Sequence, residues 1–169
     1  TGELLSAVEG WYQNRYGVTL QDGEILSLAG SQEGFAHVAL TLCDPGDVVL
    51  VPNPGYPVFE AGPFLNDAKI AYYELDKTNH YAPALDKIPE ELAKKAKMMV
   101  VSYPLNPTCT CIEKADYEKI IAFAKKYNIA IIHDNAYSEI EYDGRTGFSF
   151  LSVPGAKEVG IEFNSLSKT

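Results

Sequence analysis

The residues able to do chemistry stand at the ends of apolar runs. Lys168 follows "VGIEF" (159–163), behind the hydroxyls of Ser165 and Ser167. Asp134 closes "IAIIHD", and Tyr137 comes three residues later. Asn106 follows "MMVVSY", Tyr56 follows "VVLV", and Gly30, Ser31 and Gln32 follow "EILSLA". A lysine drawn out of water has a lowered pKa and becomes a better nucleophile for carbonyls, whereas one left in water reads as a solvated tail residue. A carboxylate such as Asp134 at a strand end is either paired structurally or aimed at a cationic ligand atom. Asn106 either turns the chain or donates its amide to an anionic oxygen. Gly30-Ser31 at a helix start serves as a simple N-cap or as an anion cradle built from free N–H groups. Tyr56 either packs its own Pro-Gly turn or faces a ligand. His133 alternates to the other face of its strand from Asp134 and reads as a satisfied core residue.

The elements that must position these residues follow from periodicity. "GELLSAVEGWYQNRY" (2–16) has helical spacing and stops at Gly17. "SQEGFAHVALTLC" (31–43) reads as a helix with Ser31 as N-cap. Residues 52–66 begin as a Pro/Gly turn and continue as a short helix, 89–96 form a helix with Pro89 at its first position, and 113–128 form the clearest helix. Residues 24–30, 48–51, 69–75, 98–103, 129–134 and 159–163 are strand candidates, and 135–158 is irregular. Short, apolar, unalternating strands that alternate with helices imply a three-layer α/β/α domain on a mostly parallel sheet. In such sheets ligands bind at the carboxyl ends of the strands, where every candidate above falls.

The 169 residues suffice for one domain, read as a single unit over 1–169. A net charge of -9 argues against nucleic-acid or anionic-membrane partners but leaves room for a small anion held by local backbone donors. Three cysteines, Cys43, Cys109 and Cys111, form no disulfide framework and suggest a reducing cytoplasmic compartment. Cys109 and Cys111 lack further ligands nearby, so no metal is expected. No apolar run is long enough to span a bilayer. Neither nucleotide signature, G-x-x-x-x-G-K-[ST] or G-x-G-x-x-G, is present.

The segments "GSQEGFAHVALTLCDPGDVVLVPNPGYPVF", "YPLNPT", "HDNAYSEIEYDG" and "NSLSKT", in this order and spacing, resemble the class I/II aminotransferases of pyridoxal-phosphate fold type I. Within that family the chain is most similar to the LL-diaminopimelate aminotransferase-like branch. The resemblance runs over essentially the whole chain. It implies a pyridoxal 5′-phosphate enzyme that moves an amino group between an amino acid and a 2-oxo acid, with Lys168 carrying the cofactor as an aldimine. Asp134 would pair with the pyridine nitrogen, Tyr137 and Asn106 with the 3′ oxygen, and Tyr56 with the ring face. Gly30, Ser31, Gln32, Ser165 and Ser167 would hold the phosphate. A homodimer is implied in the same way.

Two departures accompany the resemblance. Cys109 stands where the family usually has Gly after Asn-Pro-Thr, and Leu105 where Asn is frequent. A reshaped Asn106 loop is therefore expected, since a glycine there permits positive φ. Both ends read as cut inside an element, so the chain is expected to be a piece of the large domain, without the small C-terminal domain or the arginine that grips the substrate. Three alternatives stand beside this reading: a non-catalytic cofactor-domain fragment, a pyridoxal-phosphate lyase on the same fold, and a serine acyl-enzyme from Ser165-x-x-Lys168, which wants further motifs the chain lacks.

Overall fold

The structure, a computed structural model, describes residues 1–168; Thr169, the last residue of "NSLSKT", lies outside them. The element order is α1 (Gly2–Tyr16), α2 (Ser31–Leu42), β1 (Val48–Asn53), α3 (Val58–Leu65), β2 (Lys69–Glu74), α4 (Glu90–Ala93), β3 (Ala96–Ser102), α5 (Lys114–Tyr127), β4 (Ala130–Asn135) and β5 (Gly160–Asn164). The five strands form one sheet in the order β2-β1-β3-β4-β5. Every pairing is parallel, so the sheet expected to be mostly parallel is wholly so.

Strand alternation splits the core in two. Leu50, Met99, Val101 and Ile131 pack with Tyr117, Ile120, Ile121 and Ala124 of α5. Val49, Val51, Met98, Val100 and Ile132 pack with Phe35, Val38 and Ala39 of α2 and Phe59 of α3. The central strands are buried on both faces, which is why β1, β3 and β4 carry apolar runs instead of alternation. The helices begin and end where their residue types dictate. Gly17 caps α1 at φ 67. Asp116 of α5 accepts the Glu113 N–H at 3.3 Å, and Asn128 ends that helix in the left-handed region at φ 56.

Three expectations are corrected. Residues 24–30 form no strand: Leu26 is 82% exposed, and Leu28 leans on α2 at Gly34 instead of entering a ladder. A short apolar run carries no signal that separates a strand from a loop lying on a helix. Ser31 is the first helical residue, and Gly30 is the N-cap at φ 139, ψ 149, a region open to glycine alone. The helix expected over 89–96 spans only Glu90–Ala93, with Pro89 as its N-cap, because Ala96 is drawn into β3.

Candidate active site at the carboxyl edge of the sheet

Each strand delivers its next residues to one edge, and there they meet. Gly30, Ser31, Gln32, Tyr56, Asn106, Asp134, Tyr137, Ser165, Ser167 and Lys168 all line a single cavity of about 510 Å³. Phe35 and Val58 wall it from α2 and α3, residues that the strand-end reading did not single out.

Asp134 carries the electrostatics. It is 7% exposed, and burial pushes its carboxyl up to about 6, against the opposing effects of His133, the Ser102 hydroxyl and the Ala136 N–H. Its Oδ2 accepts from Ser102 Oγ at 3.4 Å, while its Oδ1 is buried with no partner among the described residues. Ser102 sits opposite Asp134 in the β3–β4 register. As a lone hydroxyl closing an apolar strand, it offered no signal to a reading of sequence alone.

On the other face, His133 Nδ1 donates to Glu162 Oε2 at 3.0 Å, and its Nε2 meets the Tyr117 hydroxyl at 3.1 Å. It is the satisfied core histidine expected from alternation. Its partner Glu162 is the residue missed from sequence. That carboxylate accepts from Tyr12 Oη (2.8 Å), Asn135 Nδ2 (3.2 Å), Ser149 Oγ (2.8 Å) and the Phe150 N–H (2.8 Å) as well as from His133. Burial alone would raise its pKa, but the donors, His133 foremost, hold it below the ordinary glutamate value.

The anion end of the cavity is the start of α2. Among the described residues no side chain caps this helix, so its first N–H groups and the positive end of its dipole face the cavity unclaimed by a cap. Glu33 instead reaches back to the Ala29 N–H at 2.7 Å. Gln32 Nε2 donates to the Tyr56 hydroxyl at 2.9 Å, tying that cavity-lining ring to the start of α2. Ser165 Oγ accepts the Ser167 N–H at 3.2 Å and shapes the turn before Lys168. Lys168 itself lies on an exposed turn, so of the two readings of its position the structure shows the solvated one.

The Asn106 loop holds a positive φ at Cys109. Cys109 adopts φ 56, the conformation a glycine would supply, and its N–H reaches the Leu105 carbonyl at 2.7 Å. The Leu105 N–H in turn reaches the Thr110 carbonyl at 2.9 Å. The loop is held in a left-handed turn without glycine, and Asn106 lines the cavity.

Comparison with known proteins agrees with this architecture. The family model for aminotransferase class I and II matches residues 1–169. An LL-diaminopimelate aminotransferase of Moorella thermoacetica is 47% identical over 163 residues, covering 96% of this chain and 42% of its own length. Its counterpart in Aquifex aeolicus is 45% identical over 168 residues, covering 99% of this chain and 43% of its own length. Substrate-bound BacF from Bacillus subtilis superposes with a TM-score of 0.95 at 40% identity, over 98% of this chain and 42% of that one. A probable N-succinyldiaminopimelate aminotransferase from Thermus thermophilus superposes at 0.90 with 35% identity, over 96% of this chain and 44% of that one. The fold and the match over its full length define the class: this chain belongs to the aminotransferase class I and II family. It spans about 42% of the length of the curated relatives it matches.

Proposed function

We propose that the chain is most of the cofactor-binding large domain of a pyridoxal-phosphate aminotransferase, which transfers an amino group between an amino acid and a 2-oxo acid. The observation that carries this reading is the orphaned Oδ1 of Asp134, buried in the same cavity as the uncapped start of α2 and Lys168. A buried acceptor without a donor costs free energy until a donor arrives. A protonated ring nitrogen at one end of a ligand and a phosphate at the other answer both features, so the residues fit pyridoxal phosphate.

When bound, this cofactor supplies an electron sink for the electrons of the substrate Cα–H bond. Asp134 would accept the ring N–H and keep that proton in place. The N–H groups of Ser31 and Gln32, with the hydroxyls of Ser165 and Ser167, would take the phosphate, and Gly30 lets the backbone turn into that position. Asn106 and Tyr137 would donate to the 3′ oxygen. Tyr56, tethered by Gln32, would face the ring. Lys168 Nζ would hold the cofactor at its aldehyde end and, when free, would move the proton to and from the substrate Cα.

The relatives named LL-diaminopimelate aminotransferase support that branch as the finer reading of the substrate. No helix among the described residues is long and apolar enough to cross a membrane. A cytoplasmic homodimer completed by a small C-terminal domain is part of the same proposal. The test is labelling: incubate with pyridoxal phosphate, reduce with borohydride and map the peptides. Pyridoxyl mass on Lys168, lowered in Asp134→Asn, is the expected result. Label scattered over surface lysines, or none, would overturn the assignment.

A further inference from the structure

The opposite edge of the sheet holds a second cleft, about 490 Å³, at the amino ends of β1, β2 and β3. Lys69, Lys94, Lys95 and Lys97 line it, four of the 14 basic residues of a chain whose net charge is -9. Elsewhere lysines find carboxylates readily: Lys87 pairs with Asp76, Lys119 with Asp116, Lys125 with Glu158 and Lys157 with Glu24. In the cleft only Lys94 does so, with Glu90 at 3.1 Å and Glu91 at 3.4 Å. Among the described residues Lys69, Lys95 and Lys97 have no ion pair. The lining carboxylate, Asp47, accepts the Asp44 N–H at 2.9 Å, and its carbonyl accepts the Lys69 N–H at 2.7 Å.

A backbone irregularity brings Lys97 there. Val48 faces Ala96 and Val49 faces Met98, so Lys97 is the extra residue of a β-bulge. Ala96 and Met98, two apart, consequently pack in different halves of the core instead of sharing a face. Lys97, exposed between two buried neighbours, is turned outward into the cleft.

We propose that this cleft binds a compact polyanion of the polyphosphate class. Lysine ammonium groups act as point charges, and several converging on one cleft suit a compact ligand with several phosphoryl charges close together. Both arginines of the chain are elsewhere, paired with Glu139 and Glu113. A duplex nucleic acid needs an extended basic face, which the chain's overall negative charge does not offer.

The test is titration of the chain with inorganic tripolyphosphate, followed by backbone amide NMR and calorimetry. Saturable binding should shift residues 46–48, 69 and 94–97 and weaken as salt rises. Lys69→Gln, Lys95→Gln and Lys97→Gln combined, all at exposed positions, should weaken binding about tenfold. The amide shifts on the unaltered chain locate the bound polyanion independently of how that variant folds. Shifts confined to residues 30–32 and 165–168, affinity unmoved by the triple substitution, or no saturable binding would each overturn the proposal.

Discussion

Asp134 on β4 and Glu162 on β5 are carboxylates withdrawn from water on neighbouring strands, and the fold treats them in opposite ways. Glu162 gathers donors from α1, β4 and the turn at Ser149–Phe150, so its charge is matched on every side and its pKa is held down. Asp134 is given only a long hydrogen bond from Ser102 and the pull of the Ala136 N–H, its Oδ1 has no partner among the described residues, and its pKa is pushed up to about 6. The first carboxylate is complete in the folded chain and joins the N-terminal helix to the sheet. The second is incomplete without a ligand, as expected of a binding group, since buried polar atoms in finished structures are paired.

Removing Glu162 should have the largest effect. Glu162→Ala strands five buried donors and should cost roughly 3–5 kcal/mol in urea unfolding; a loss under about 1 kcal/mol would erase the contrast with Asp134. Asp134→Asn should act in the other direction. The folded carboxyl binds its proton more tightly than the ordinary value of 3.8 allows, so its contribution to stability is full below that value and is lost as pH climbs to about 6. Near neutral pH the substitution should therefore stabilise the free chain by about 2–3 kcal/mol while weakening cofactor binding. Thermal melts across pH should show the decline in the parent and not in the variant. Glu162 should give the reverse slope, with stability present above the ordinary glutamate range and lost as pH falls.

Smaller effects test the loops around the site. Gly30→Ala meets no steric obstacle but must hold φ 139, which should cost about 1–3 kcal/mol and lower phosphate-dependent binding. Cys109→Gly should be the mildest. It relieves a left-handed residue while loosening the unfolded chain, for a net gain of about 0.5 kcal/mol by denaturant midpoint. A clear loss there would mean that the cysteine side chain supports the Asn106 loop.

What the sequence made legible and what it hid divide along the same contrast. Asp134 and Lys168 stood out because each follows an apolar run with nothing local to explain it. The end of α1 was readable from Gly17, whose conformation is local. Glu162 was hidden because its partners are far away in sequence, Tyr12 by 150 positions, and a single charge in "VGIEF" has no period. Residues 24–30 misled for a related reason: whether an apolar run pairs or lies on a helix depends on neighbours the run does not contain. The lysine cleft depended on a bulge, which no residue pattern announces. The wall residues Phe35 and Val58 look like ordinary core positions until the cavity is seen.

The most direct test is a pH titration of the Asp134 side-chain carboxyl by carbon-13 NMR, with and without pyridoxal phosphate. Asp134 is expected to titrate near 6 in the free chain and to stay ionised well below that pH once the cofactor is bound and its ring N–H fills the empty oxygen. A midpoint near the ordinary aspartate value in the free chain, or one unmoved by saturating cofactor, would contradict the account.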